Sequence, residues 1–190
     1  MTSQILITGP PGVGKTTLIR RVCERLLKEK PELSVAGFYT SEVRDNRGVR
    51  SGFEVVALPE TRGIKALLAT VSPPPGIKGP SVSKYTVLVD EFESVALPCI
   101  VSASERGSVA VIDEIGKMES FSKKFCSELA SWLKSESRGL LLATIPVARG
   151  KPLDVVQMVQ SLEGSTVVTL NKNNRNAKVD EVYELVASVV

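Results

Sequence analysis

The sequence predicts an α/β fold, with a mostly parallel central sheet, helices on both faces and a β-hairpin excursion. Short apolar runs alternate with amphipathic stretches along most of the chain, which is the pattern of βαβ units on a sheet covered on both sides. A glycine-rich turn joins the first apolar run to the first amphipathic stretch. Two strand-like runs also flank Asp45-Asn46-Arg47-Gly48 with no helix-length segment between them, which marks a hairpin. The 190 residues suffice for one domain spanning 1–190 with a substantial core, and are short for two.

Each element follows from its residues. Gln4 to Thr8 is a buried strand entering Gly-Pro-Pro-Gly. Leu18, Ile19, Val22, Leu26 and Leu27 recur at helical spacing until Pro31 ends the helix. Leu33 to Thr40 is a strand, and Gly52 to Leu58 is its partner across the hairpin. From Pro59 to Ser83 the runs Pro73-Pro74-Pro75-Gly76 and Gly79-Pro80 predict a surface excursion between strands, with a Pro-rich docking motif as the alternative. Lys84 to Val89 is a strand, and Phe92 to Ser104 a short helix that Pro98 kinks or ends. Ser108 to Asp113 is a strand, and Phe121, Phe125, Leu129, Trp132 and Leu133 mark a helix face. Leu140 to Thr144 and Thr166 to Leu170 are strands, separated by a helix carrying Leu153, Val156, Val159 and Leu162. Val179, Val182, Val186 and Val189 mark the last helix.

The chain has no histidine, which excludes Ser-His-Asp hydrolysis, Cys-His nucleophiles and His-ligated metals. Cys23, Cys99 and Cys126 are odd in number and lack CxxC spacing, so they read as free thiols in a reducing compartment. The net charge of +3 is spread along the chain, which suits a local polyphosphate site better than a nucleic-acid groove. The N-terminus shows no secretory signal, and no apolar run reaches the ~18 residues that span a bilayer. The expectation is a cytoplasmic monomer acting on a small molecule.

Gly9-Pro10-Pro11-Gly12-Val13-Gly14-Lys15-Thr16 matches G-x-x-x-x-G-K-[ST] in full, between a strand and a helix. Glycines let successive N–H groups converge on phosphate oxygens, and the new helix adds its dipole. Lys15 is suited to the β- and γ-phosphates of a nucleoside triphosphate, and the Thr16 hydroxyl to Mg²⁺. Val109-Ala110-Val111-Ile112-Asp113-Glu114 is an apolar strand ending in two acids. Asp113 would complete the Mg²⁺ shell from a strand beside the first one, and Glu114 would deprotonate an attacking water, an effect of about 10²–10⁴ in rate.

Stabilising the departing phosphoryl charge needs a cation, and Lys117 is nearest in sequence, ahead of Arg149 and Lys151. Thr144, ending another strand, is a candidate sensor of the γ-phosphate or its water, or a threonine satisfying local backbone. Asn174 and Arg175, in an Asn-rich turn after the last strand, are candidates for base contact. No Asn-Lys-x-Asp signature is present, so strong guanine selectivity is not expected.

Residues 7–18 and Val111-Ile112-Asp113-Glu114-Ile115-Gly116-Lys117-Met118-Glu119 resemble the cancer-related nucleoside-triphosphatase family, which includes thermophilic archaeal and bacterial nucleoside-triphosphatases. Segments around Gly37 to Arg44, Ala96 to Pro98, Thr144 to Pro146 and Asn174 to Asn176 are also similar, in order. The resemblance implies a P-loop NTPase of RecA-like type that releases phosphate from several nucleoside triphosphates. It places nucleotide contacts on Gly9 to Thr16 and Val109 to Gly116. Two alternatives remain open on sequence. One is a P-loop kinase with Arg44, Arg47 and Arg50 as lid arginines; the other is a nucleotide-dependent switch that binds partners through the Pro-rich excursion.

Overall fold

The computed structural model describes residues 4–148 and 150–190. In chain order the elements are β1 (Gln4–Thr8), α1 (Lys15–Glu29), β2 (Val35–Arg44), β3 (Arg50–Leu58), β4 (Lys65–Thr70), β5 (Ser81–Val82), β6 (Tyr85–Val87) and α2 (Val89–Ser102). Then come β7 (Val109–Ile112), α3 (Lys123–Lys134), β8 (Leu140–Ile145), α4 (Asp154–Gln160), β9 (Ser165–Thr169) and α5 (Ala177–Ala187). They build a single sheet of order β5-β6-β4-β3-β2-β7-β8-β1-β9.

β2, β7, β8, β1 and β9 run parallel, while β3, β4, β6 and β5 extend the sheet antiparallel beyond β2. The expected hairpin is therefore the first pair of a longer wing. β4 is the strand that the sequence hid, because Lys-Ala-Leu-Leu-Ala-Thr lacks the β-branched alternation of a half-buried strand. Its pairing with β3 supplies what propensity does not. Pro98 lies inside α2 rather than at its end.

Two cores lie on opposite faces of the sheet. α1 and α5 cover one face through Ile19, Val22, Leu26, Val182 and Val186. α2, α3 and α4 cover the other through Phe92, Val95, Phe125, Leu129 and Val159. On that second face Phe38, Phe92 and Phe125 form a ring cluster with centroids 5.1 to 5.9 Å apart in tilted, edge-on contacts. The periodic spacing of apolar residues seen in the sequence is thus the spacing of helix faces that need covering.

A buried polar link ties α2 to α3. Ser122 caps α3 by accepting the Phe125 N–H at 2.9 Å, and donates its own hydroxyl to Glu93 at 2.8 Å. Glu93 also takes Lys124 at 2.8 Å, and these two donors hold its carboxyl below the ordinary range. Ser122→Ala removes the cap and leaves one Glu93 oxygen without its partner. We expect a loss of about 1–3 kcal/mol, read as a lower urea midpoint at unchanged slope.

Candidate active site

The parallel register brings the strand ends that matter to one level. Ile7 lies opposite Thr144, and Ile112 opposite Ala143. β8 lies between β1 and β7, so Asp113 does not stand on a strand adjacent to the first one, as the sequence had suggested. Its carboxylate still reaches the glycine-rich turn, because every parallel strand ends on the same side of the sheet. Thr16 and Lys15 are both close enough to favour its charged form.

The turn itself is held from below and opened above. Gly14 sits at φ 109° and ψ 26°, a left-handed conformation that a side chain would disfavour, and it leads directly into α1. Val13 is buried against the core of the α1 face, and its N–H closes a turn on the Pro10 carbonyl at 3.2 Å. Lys15 folds back over the turn and donates Nζ to the Gly9 carbonyl at 3.1 Å. An anion arriving at the turn can draw this ammonium off a neutral carbonyl, which is a weaker partner than a phosphate oxygen.

Asp113 is 1% exposed. The Thr144 hydroxyl donates to its Oδ1 at 2.5 Å, while Oδ2 is buried and has no hydrogen-bond partner in good geometry among the described residues. Burial pushes the Asp113 carboxyl up, against the hydroxyls of Thr144 and Thr16, the Thr40 backbone and the Lys15 charge. Glu114 is half-buried at the cavity wall. Burial raises its carboxyl above the ordinary range and the negative charge of Asp113 adds to this, while Lys15 opposes both.

A cavity of about 610 Å³ opens over the turn, lined by Gly9, Pro11, Gly12, Gly14, Lys15, Thr16 and Glu114. Its wall continues through Thr17, Arg20, Tyr39, Thr40, Ser41, Glu42, Arg50, Phe53, Pro146 and Val147. Pro10 and Val13 support the turn without lining the cavity. The rest of residues 109–116 differs from the expected contact segment. Val109, Ala110, Val111, Ile112 and Ile115 are at most 3% exposed and belong to the sheet and its core. Only Glu114 of that stretch faces the cavity; Gly116 packs between the Glu114 and Glu119 side chains.

Thr144 is buried, its hydroxyl donates to Asp113, and it is not among the residues lining the cavity. Asn174 accepts the Asn171 N–H at 2.8 Å and donates to the Thr169 carbonyl at 3.0 Å. Both ends of its amide therefore contribute to the turn after β9, and Asn174 does not line the cavity. Arg175 does reach the glycine-rich turn, donating Nη1 to the Val13 carbonyl at 3.5 Å. Lys117 and Lys151 are exposed and outside the cavity lining, and Arg149 lies outside the described residues.

Two cavity arginines were not ranked for this role from sequence. Arg20 stands one helical turn beyond Thr16, with its guanidinium 4.9 Å from the Tyr39 ring centroid and paired to Glu60 at 3.1 Å. Arg50, considered only as a lid residue, pairs with Glu42 at 3.0 Å on the hairpin. One signal was available: Tyr39 and Thr40 end the strand expected over 33–40, and strand ends of an open α/β sheet face its crevice.

The family model described as NTPase matches residues 4–183. The chain belongs to this NTPase family. It is similar to the human protein named cancer-related nucleoside-triphosphatase, at 40% identity over 99% of this chain and 98% of that one. The solution structure of a human cancer-related nucleoside triphosphatase superposes with a TM-score of 0.83, at 40% identity and 100% coverage of both chains. The crystal structure of THEP1 from Aquifex aeolicus superposes at 0.78, with 34% identity over 96% of this chain and 98% of that one. Among the described residues, no helix of this family member is long and apolar enough to cross a membrane. Its three cysteines are free; burial pushes the Cys23 thiol up to about 12 and the Cys99 thiol up to about 11, which keeps both unreactive.

Proposed function

We propose that the chain hydrolyses nucleoside triphosphates to the diphosphate and phosphate, with Mg²⁺ and with broad base tolerance. The observation that carries this reading is the shared cavity: Lys15 and Thr16 from the glycine-rich turn and Glu114 from the end of β7 line one wall-to-wall space.

The turn's N–H groups and the start of α1 receive the phosphates. Lys15 leaves the Gly9 carbonyl for the β- and γ-phosphate oxygens. The buried, unpartnered Oδ2 of Asp113 beside the Thr16 hydroxyl is the oxygen donor set that suits a hard divalent cation. Thr16 and Asp113 would hold Mg²⁺, whose chemistry when bound is to neutralise charge on the β- and γ-phosphates. Glu114 accepts a proton from the attacking water, and its raised pKa makes it a better base at neutral pH than an exposed carboxylate. Arg20 and Arg50 are the cavity arginines available to the developing phosphoryl charge. Broad base tolerance is supported by the sequence, which has no Asn-Lys-x-Asp signature to read guanine.

Phosphate release should be measured against a panel of ribo- and deoxyribonucleoside triphosphates, with Mg²⁺ and with chelator. We expect rates within about tenfold across the bases and none with chelator. A single strongly preferred base, or release that chelator leaves untouched, counts against the reading.

A second reading, phosphoryl transfer to an acceptor, is favoured by one feature. The cavity runs past the glycine-rich turn to Ser41, Glu42, Arg50 and Phe53 on the hairpin, which leaves room beyond a triphosphate. The same assay separates the two, because a kinase is nearly silent when no acceptor is added.

A further inference from the structure

One buried acid near the cavity has no part in the hydrolytic scheme. Glu119 is 4% exposed and begins the short 3-10 turn Glu119–Phe121. The charges that act on its carboxyl are those of two other acids, Glu114 and Asp113. An acid in such surroundings is costly to bury unless hydrogen-bond donors meet it. Burial raises this carboxyl to about 8, against the backbone N–H groups of Glu119 itself and of Gly116, which favour its charged form.

Gly116 is the contact through which Glu119 meets the reaction centre. A Cβ on Gly116 would lie 3.0 Å from Glu119 Oε2 and 3.3 Å from Glu114 Oε1. The glycine therefore leaves room for two acidic side chains beside one peptide unit, Glu114 at the cavity wall and Glu119 buried. The loop has fixed points around that unit. Ile115 N–H is bonded to the Thr144 carbonyl at 2.9 Å, and Ser120 N–H to the Gly116 carbonyl at 3.1 Å. Glu119 is itself anchored, since its carbonyl accepts the Ser122 N–H at 3.1 Å. Ser122 in turn is bonded to Glu93 on α2. A rigid line thus runs from the α2–α3 link through Glu119 to the peptide beside Glu114.

We propose that Glu119 is a positioning residue for hydrolysis: its buried carboxyl holds the Gly116 peptide, and this aims the Glu114 carboxylate into the nucleotide cavity. The inference rests on the proposed role of Glu114. It assigns Glu119 no contact with substrate.

The test uses kcat and KM for Mg²⁺-ATP hydrolysis. Glu119→Leu keeps an apolar volume in place but removes the acceptor, and is expected to lower kcat by about tenfold to a hundredfold, with KM within about twofold of the parent. Glu119→Gln retains an oxygen that can accept the Gly116 N–H, and is expected to restore most of the loss. Added to Glu114→Gln, Glu119→Leu should cost nothing further, because a residue that works through Glu114 has nothing left to position. Thermal unfolding of each variant identifies any that fail to fold, and the folded ones carry the test. The proposal is overturned if Glu119→Leu keeps the parent kcat, if KM moves in place of kcat, if Glu119→Gln is as poor as Glu119→Leu, or if the double variant shows additive losses. A Glu114→Gln enzyme at the parent rate is a separate result, which removes Glu114 as the base and with it the role on which this inference rests.

Discussion

Glu114→Gln is expected to bind Mg²⁺-ATP with near-parental affinity and to hydrolyse it about 10²–10⁴ times more slowly. The substitution keeps the size and hydrogen-bonding reach of the side chain and removes only its basicity. Glu114 lines the cavity but belongs to neither the glycine-rich turn nor the Thr16–Asp113 pair, so the groups that hold phosphates stay in place. Removing its negative charge beside Lys15 does not weaken the attraction of an anion, and could strengthen it. Single-turnover hydrolysis and titration with a non-hydrolysable analogue measure the two quantities separately. Hydrolysis at the parent rate would show that another group activates the water. A matched loss of affinity and rate would instead make Glu114 a binding residue.

The sequence shows the parallel half of this fold clearly, and the reason is physical. β1, β7 and β8 are buried on both faces, so they read as uninterrupted apolar runs such as Ile5-Leu6-Ile7 and Leu140-Leu141-Leu142. Glycine and lysine at fixed offsets between β1 and α1 mark the turn, because the backbone there must take conformations such as that of Gly14. The antiparallel wing is less legible. β4 is set by pairing with β3, and β5 and β6 are two and three residues long, too short for any periodicity.

The site divides in the same way. Lys15, Thr16 and Glu114 were legible because motif spacing fixes them. Thr144 was placed correctly at a strand end, but its role turns on which neighbour its hydroxyl meets, and that neighbour, Asp113, is 31 residues away. Arg20 and Arg50 line the cavity with no local pattern to single them out among the other arginines. Glu119 was visible only as part of a string; its burial comes from the chain folding back onto Gly116.

Lys15→Ala is expected to weaken Mg²⁺-ATP binding by about 2–5 kcal/mol, or about 30- to 5,000-fold, the range for removing one partner of a desolvated charge pair. Lys15 gives Nζ to a backbone carbonyl, that of Gly9, and makes no salt bridge among the described residues. The turn does not depend on that contact: Val13 anchors it in the core, and Leu18 N–H closes the first helical bond on the Gly14 carbonyl at 2.9 Å. The unliganded variant should therefore melt close to the parent. The difference should appear only on adding nucleotide, which at a hundred times the parent Kd stabilises the parent by about 2.7 kcal/mol and the variant by about 0.9 kcal/mol at most. Thermal shifts with and without Mg²⁺-ATP measure both effects in one experiment. Equal shifts for parent and variant would mean that the triphosphate does not rest on this turn, whereas a variant already destabilised without ligand would make Lys15 a strut of the loop and not its phosphate contact.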